Sequence, residues 1–201
     1  KDHVSDTIYA SFPIKNSKNE KIQGSNIIIW TTTPWTIPAN KALAYNNALT
    51  YLNLKLLTND NLNNKNVIIA KELLENFKKE LKIDKVEILY EFSGKEFEGT
   101  ICHHPFYKIG YDHDIPMLDA NFVTTEQGTG IVHCAPSHGP DDFNLCLNNN
   151  IKAIETVDGD GKYTKNIKIF EGLHIFKANE TIIEKLKEQK NLLANGKLNH
   201  S

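Results

Sequence analysis

The sequence predicts a mixed α/β domain, compact around a twisted, barrel-like β-sheet with a few flanking helices. Six runs rich in β-branched or aromatic residues are bounded by turn residues, as strands are, whereas helical periodicity is confined to a few segments. The strands are irregularly spaced, which disfavours a doubly wound sheet, where strands and helices alternate. With 201 residues, of which 40% are hydrophobic and 24% charged, the chain can bury one core. We expect a single domain over residues 1–201.

The predicted strands share side chains that suit a half-buried pleated surface, mainly Val, Ile, Leu, Tyr and Phe. They are residues 26–30, 51–57, 66–70, 86–92, 130–134 and 151–157. Between them, residues 59–66 and 158–166 are polar and rich in turn formers, so we expect surface loops or hairpins there. No internal repeat interrupts this pattern.

Two longer helices are predicted from apolar residues that recur on one helical face. The first follows Lys71 and presents Leu73, Leu74, Phe77 and Leu81. The second lies between a predicted Asn179 cap and Gly196 and presents Ile182, Ile183, Leu186 and Leu193.

A third, shorter helix is predicted to begin near Pro140, because proline suits the first helical position and Gly139 can serve as the cap. This start places Asp141 and Asp142 in the first turn, where a carboxylate is stabilised and directed. The pair can simply complement the helix dipole, and a functional role needs further context.

The bulk composition argues against several classes of protein. The formal net charge of −2 gives no global basis for tight nucleic-acid binding, so any RNA contact must be local or assisted by other domains. Cys102, Cys134 and Cys146 are odd in number and lack CxxC spacing, which favours reduced thiols over disulfides. No apolar run reaches the roughly 18–20 residues of a membrane span, and no signal peptide is evident. We expect a cytoplasmic protein without a membrane partner.

Residues 128–143 concentrate more chemistry than any other segment: Gly-Thr-Gly-Ile-Val-His-Cys-Ala-Pro-Ser-His-Gly-Pro-Asp-Asp-Phe. His133 ends a predicted strand and His138 follows shortly after, so both side chains can converge on one pocket. One interpretation is a zinc site of His133, His138 and Asp142, although this spacing matches no common metal motif. The simpler interpretation is that neighbouring backbone satisfies each histidine.

Residues 30–40 are the second concentration of chemistry and read Trp-Thr-Thr-Thr-Pro-Trp-Thr-Ile-Pro-Ala-Asn. Thr31, Thr32 and Thr33 can simply continue the preceding strand until Pro34 stops it. Their hydroxyls can also orient a water or a ribose, while Trp35 walls an apolar pocket or stacks on a base. Trp35 fits a hydrophobic core equally well.

The chain lacks the motifs of nucleotide hydrolysis and acyl-enzyme chemistry, namely GxSxG, a phosphate loop and GxGxxG. What remains is a predicted pocket lined by hydroxyls and flanked by histidine and aspartate. Such a pocket suits the placement of a water molecule against an ester.

Residues 30–40 and 124–143 together closely resemble the editing domain of isoleucyl-tRNA synthetase. Both motifs occur in that family's order, and residues 172–179, Gly-Leu-His-Ile-Phe-Lys-Ala-Asn, are also similar to it. The valyl and leucyl families typically carry Arg with Glu or Asp where this chain has Thr33 and Trp35, so these positions favour the isoleucyl family. Because the chain starts at Lys1, we expect an insertion excised from a larger synthetase.

The resemblance implies post-transfer editing, the hydrolysis of valine from tRNA(Ile) with isoleucyl-tRNA(Ile) spared. It implies that Asp142 holds the substrate's α-amino group and that His133 helps to reject the larger isoleucine side chain. The threonine-rich peptide and Trp35 would contact the aminoacyl group and position water; its members are Thr31, Thr32 and Thr33. Asn40 matches a residue implicated in editing. The loop expected near the terminal adenosine consists of Gly128, Thr129 and Gly130.

The implied partners are the aminoacylated 3′ end of tRNA(Ile), valine as the ester substrate and the rest of the synthetase in cis. No cofactor or metal is expected in this domain, because ATP serves only the catalytic domain, whose signatures the sequence lacks. Two other classes stay open: a non-catalytic module that binds the aminoacyl-tRNA end, and a zinc hydrolase that uses the histidines. Asp142 and the intact threonine peptide argue against the first.

Overall fold

A computed structural model describes residues 3–200, with the side chains of residues 4–199. It shows a ten-stranded mixed sheet with few helices, so the predicted mixed α/β class is confirmed. The strands are β1 (His3–Asn16), β2 (Asn26–Thr31), β3 (Ala42–Tyr45), β4 (Thr50–Leu57), β5 (Asn66–Ala70), β6 (Lys85–Ser93), β7 (Ile101–His103), β8 (Asp114–Asp119), β9 (Val132–Cys134) and β10 (Leu192–His200). The α-helices are α1 (Leu74–Leu81), α2 (Pro140–Asn148) and α3 (Ile175–Glu188). Nowhere in residues 3–200 does a helix combine the length and apolar character of a membrane span.

The sheet runs in the order β6-β4-β5-β2-β1-β7-β8-β3-β9, with β10 also paired to β1. Its pairs are antiparallel except β2 with β5 and β3 with β8. The 14-residue β1 pairs with three strands: β2 and β10 pair with its earlier part, and β7 pairs with it near Ile14. The loop before β9 contacts the end of β5, where the Ala70 N–H donates to the Thr129 carbonyl at 2.8 Å.

Both faces of the central strands are covered. In β2, Ile27 and Ile29 face the main core, while Ile28 and Trp30 face a second cluster that includes Phe77 of α1. This division follows from the alternation of side chains along a strand. It explains why residues 27–30 are a continuous apolar run, since each fully buried aliphatic side chain contributes about 1.5–3 kcal/mol on either face.

Most of the predicted elements are confirmed. The strands predicted at 26–30, 51–57, 66–70 and 86–92 are β2, β4, β5 and β6, and the strand predicted at 130–134 is the shorter β9. The first helix is α1, preceded by a 3₁₀ turn, and the third is α2, with Gly139 as its cap and Pro140 in its first turn.

The strand predicted at 151–157 is wrong. This segment is irregular, and only Val157 forms an isolated bridge, with Tyr163. The segment binds a neighbouring side chain instead of a strand, because the Ser137 hydroxyl donates to the Ile154 carbonyl at 2.6 Å. Ile154 is exposed, so the apolar pattern that suggested a buried strand does not correspond to burial.

The predicted limits of the last helix are also wrong. Helix α3 is capped by His174, whose Nδ1 accepts the Phe176 N–H at 3.1 Å. Asn179 lies inside the helix, where its Oδ1 accepts the Trp35 N–H at 3.0 Å instead of capping. Leu193 belongs to β10, so its agreement with the helical period is coincidental.

The sequence did not predict β1, β3, β7, β8 or β10. Strands β7 and β3 are only three and four residues long. Strands β1 and β8 contain Pro13 and Pro116, residues that lower the strand signal. Tertiary pairing overrides these weak local preferences.

Candidate active site

Three elements meet around the two sequence motifs. A 3₁₀ helix, Pro34–Ala39, follows the end of β2 after two intervening residues, and its buried cap residue Asn40 leads into β3. Strand β9 pairs with β3, with His133 opposite Leu43. Strand β2 has already ended at Thr31, and Pro34, whose ring fixes φ and which lacks an N–H, starts the 3₁₀ helix. The side chain of His133 in β9 contacts this 3₁₀ helix at Thr36, and the ring of His138, just before α2, contacts it at Trp35.

A chain of polar contacts joins the two motifs. The hydroxyl of Thr33 lies 3.2 Å from that of Thr31 and 3.4 Å from that of Thr36. The Thr36 hydroxyl lies 2.8 Å from Nε2 of His133, and the other ring nitrogen, Nδ1, lies 2.6 Å from Nδ2 of Asn40. We call these five residues the Thr–His chain. It links positions nearly one hundred residues apart in the sequence.

The contacts of Asn40 assign the tautomer of His133. Asn40 Nδ2 carries two hydrogens, which point to the Ala42 carbonyl at 3.0 Å and to His133 Nδ1 at 2.6 Å. The reversed amide would direct its oxygen at that carbonyl, so Nδ2 is the donor to both groups. His133 Nδ1 is therefore an acceptor, and the ring proton lies on Nε2, which donates to Thr36. The buried Asn40 Oδ1 has no hydrogen-bond partner among residues 3–200.

His133 is neutral at physiological pH. Burial, with a smaller contribution from nearby His138, lowers its pKa to about 3. A general base is most effective when its pKa lies near the working pH, which His133 does not satisfy. Its fixed, uncharged ring is suited to shaping a pocket rather than to transferring protons.

His138 lies on the other side of the 3₁₀ helix. Its Nε2 is 2.7 Å from the Thr156 hydroxyl, and its ring meets Trp35 edge-on with centroids 4.9 Å apart. Both ring nitrogens of His133 and one of His138 are already hydrogen-bonded. This arrangement favours histidines that form the wall of a pocket over histidines that ligate zinc. Within residues 3–200, no group of three or more His, Cys, Asp and Glu side chains is placed to hold a metal ion.

Asp142 lies in the first turn of α2, as its sequence context predicted. Its Oδ2 accepts the Ala135 N–H at 3.0 Å. Burial raises the pKa of Asp142, an effect that the Ala135 bond opposes and nearby Asp141 reinforces. No ion pair to Asp142 forms in the described part of the chain. A half-buried carboxylate without a cationic neighbour can bind an ammonium group from a ligand.

The loop of Gly128, Thr129 and Gly130 lies outside the Thr–His chain. The Thr129 hydroxyl donates to the Ile28 carbonyl at 2.6 Å, so this buried side chain anchors the loop to β2. Gly130 has a φ of +80°, and a Cβ there would lie 2.4 Å from the Cβ of Ala70. The conformation needs glycine at this position. Any contact of this loop with a nucleoside would have to come from its backbone.

Two features of the site were not predicted from the sequence. Thr36 is buried and connects the hydroxyls to the imidazole, whereas Thr32 is half-buried and makes no hydrogen bond among the described residues. The backbone of Trp35 is fixed on both sides, by Asn179 at 3.0 Å and by the Tyr163 hydroxyl at 2.5 Å. The only sequence feature that indicates a role for Thr36 is its position within the same motif. Asn179 and Tyr163 are remote from Trp35 in the sequence, so no local pattern indicates their contacts with it.

Similarity to known proteins decides the family. Residues 5–191 match the family model described as leucyl-tRNA synthetase, editing domain. The chain belongs to this editing-domain family. It is 64% identical over 200 residues to the isoleucine–tRNA ligase of Pelagibacter ubique strain HTCC1062 and 40% identical over 217 residues to that of Gluconobacter oxydans strain 621H. Both matches cover 100% of this chain but only 22% and 23% of the relatives, so it spans under a quarter of their length.

The fold of this editing domain is also found in the crystal structure of GlLeuRS-CP1. The two superpose with a TM-score of 0.69 at 12% identity, covering 98% of this chain and 99% of the other. The membership expected from the threonine peptide and the His/Asp motif is confirmed by these matches.

Proposed function

We propose that this editing domain hydrolyses the ester of valyl-tRNA(Ile) and spares isoleucyl-tRNA(Ile). The main support is the Thr–His chain, which holds a neutral His133 in one orientation, while Asp142 binds the N–H of Ala135 two residues further along the chain. The similarity to isoleucine–tRNA ligases over the whole chain supports the same substrate.

The need for a second, hydrolytic site follows from the size of a methylene. One methylene is worth only about 1–3 kcal/mol in a hydrophobic pocket, a general figure for which isoleucine against valine is the standard illustration. A synthetic site that accepts isoleucine therefore also charges some valine. A rigid wall that excludes the extra methylene lets an editing site remove only the smaller product. His133, fixed through Thr36 and Asn40, is the proposed wall.

In the proposed reaction, Asp142 binds the substrate's α-ammonium group and so places the ester beside the threonine peptide. Hydroxyls of Thr31, Thr32 and Thr33 position the attacking water, and a ribose hydroxyl of the substrate assists its activation. Water adds to the ester carbonyl, the bond from the carbonyl carbon to the ribose oxygen breaks, and that oxygen receives a proton. The products are valine and uncharged tRNA, without a covalent enzyme intermediate.

The remaining assignments follow from the same proposal. The domain needs no cofactor or metal of its own, and ATP is used by the catalytic domain of the parent synthetase. It acts in the cytoplasm on the aminoacylated 3′ end of tRNA(Ile), in cis with the rest of the enzyme. Residues 1–201 form a single editing domain inserted in that larger chain.

The test compares two neighbouring carboxylates in single-turnover deacylation of valyl-tRNA(Ile). Asp142→Ala removes the proposed ammonium ligand, and Asp141→Ala is the matched control because Asp141 is exposed. Removing one partner of a desolvated charge pair costs about 2–5 kcal/mol, so Asp142→Ala should slow deacylation by at least about 30-fold. The Asp141→Ala rate should stay within about twofold of the native rate.

Full activity of a folded Asp142→Ala variant would refute the role of this carboxylate. Adding a chelator to the native protein tests the zinc hydrolase, which predicts loss of activity. Saturable binding of a non-hydrolysable aminoacyl-adenosine analogue without release of valine would instead identify a binding module.

A further inference from the structure

A cavity of about 210 Å³ lies at the far end of the 3₁₀ helix from the threonine peptide. Pro38 and Ala39 form part of its wall, with residues 110–113 and 166–168 opposite. Pro38 and Ala39 end this six-residue helix, whereas Thr33 precedes its first residue. The cavity shares Thr156 with the His138 wall of the site.

The polar lining of the cavity contains two ammonium groups, beside neutral side chains such as Thr156 and Asn166. Lys41 and Lys168 both contribute to it, and Lys168 Nζ is oriented by the Gly110 carbonyl at 3.1 Å. His113 also lines it, with Nε2 at 3.4 Å from the Asn40 carbonyl. One carboxylate, Asp112, is present, and its side chain is exposed.

Lys41 is the unusual member of this group. It is half-buried, and burial lowers its pKa. Its ammonium group has neither a hydrogen-bond acceptor nor a carboxylate partner among residues 3–200. Partly desolvated charges are normally paired, because leaving them unpaired is unfavourable. An anion from outside the chain would supply the missing partner.

We propose that this cavity binds a phosphate group through Lys41 and Lys168. Phosphate is preferred because two ammonium groups on a concave surface match its charge and its multiple acceptor oxygens. The source is either a backbone phosphate of the tRNA acceptor end or free phosphate. An RNA phosphate as the source rests on the proposed function. It would supply a local RNA contact to a protein whose net charge of −2 gives no general affinity for RNA.

The first test is calorimetric titration of the protein with inorganic phosphate at pH 7 and low ionic strength. Lys41→Met keeps the apolar stem and removes the charge, and Lys187→Met removes the same charge from the exposed surface of α3. We expect saturable binding by the native protein and by Lys187→Met, and at least tenfold weaker binding by Lys41→Met. Lys168→Met, which should also weaken binding, is the second variant if Lys41→Met does not fold.

A second titration distinguishes the two sources. The affinity of a CCA-ended acceptor minihelix is measured against salt for the native protein, Lys41→Met and Lys187→Met. If an RNA phosphate occupies the cavity, Lys41→Met should lower the slope of log affinity against log salt by about 0.7, the value for one single-stranded phosphate contact. Loss of inorganic phosphate binding with an unchanged slope would identify free phosphate.

Two results would overturn the proposal. The first is that the native protein shows no saturable phosphate binding and has the same salt slope as Lys41→Met. The second is that Lys41→Met and the native protein bind phosphate equally well. Neither titration depends on ester hydrolysis. A domain that binds phosphate but does not release valine would thus retain this cavity assignment and refute only the editing reaction.

Discussion

Asn40 determines the state of His133 because its amide donates to both the Ala42 carbonyl and His133 Nδ1. Nitrogen-15 NMR of the labelled imidazole should therefore show a bare Nδ1 and a protonated Nε2 at pH 7. The resonances should not titrate between pH 7 and pH 5, since burial lowers the pKa of His133 to about 3. A protonated Nδ1, or a transition near pH 6.5, would refute this assignment.

Removing the His133 side chain should widen the site. In His133→Ala, the space freed beside Thr36 should admit the additional methylene of isoleucine, and hydrolysis of isoleucyl-tRNA(Ile) should rise by about 10–200-fold, the range that one methylene can discriminate. Hydrolysis of valyl-tRNA(Ile) by the same variant serves as the internal control. Continued rejection of isoleucine would show that another group forms the wall.

Thr36 should matter for stability as well as for selectivity. Thr36→Val leaves Nε2 of His133 without its partner, and an unsatisfied buried group costs about 1–3 kcal/mol of unfolding free energy. Thr32→Val is the matched control, because Thr32 makes no hydrogen bond among residues 3–200. Urea unfolding of both variants would detect the difference. Equal losses of stability would mean that the Thr36 contact contributes nothing specific.

At the level of elements, the loop before β9 depends on a close backbone approach. Gly130→Ala adds a Cβ 2.4 Å from that of Ala70 and also strains a φ of +80°. Gly24 has a similar φ of +84° with nothing within 4 Å, so Gly24→Ala measures the backbone strain alone, about 1–2 kcal/mol. Thermal unfolding should show a clearly larger loss for Gly130→Ala. Equal losses would mean that the loop moves away from Ala70 easily.

The elements that the sequence predicted are those with a strong local signal. Strands β2 and β5 each contain three consecutive β-branched apolar residues, and α2 has both its Gly139 cap and Pro140. The three-residue β7 has no comparable signal, because pairing with β1 and β8 defines it. Residues 151–157 failed for the opposite reason, since an apolar pattern there is exposed and bound by the Ser137 side chain.

The site was predictable only in part, because the sequence shows which residues cluster but not which touch. The motifs indicated His133, Asp142 and the threonines, and the structure brings His133 to the threonine peptide. The Thr36–His133 and Asn40–His133 contacts join positions 97 and 93 residues apart, so no local pattern reveals them. The positions of the substrate groups remain part of the proposal.

Across the whole molecule, stability should depend on pH through buried neutral histidines. Burial lowers the pKa of His133 to about 3 and that of His104 well below its usual value. Both bind protons more readily in the unfolded chain, where the pKa is about 6.5. The stabilisation is therefore complete above pH 6.5 and is lost as the pH falls. For His133 the loss is about 2 kcal/mol at pH 5.

Urea unfolding of the native protein at pH 7 and pH 5 measures this loss. His133→Gln, which cannot titrate, should lose about 2 kcal/mol less than the native protein over the same interval. An identical pH dependence for both proteins would show that His133 does not resist protonation in the folded state.

The central claim is that this editing domain distinguishes two esters that differ by one methylene. Its most direct test is the rate at which the native protein, in excess, releases the amino acid from valyl-tRNA(Ile) and from isoleucyl-tRNA(Ile). We predict release of valine at least about tenfold faster than release of isoleucine, the lower limit of what one methylene can provide. Release of both at the same rate, or of neither, would contradict the account.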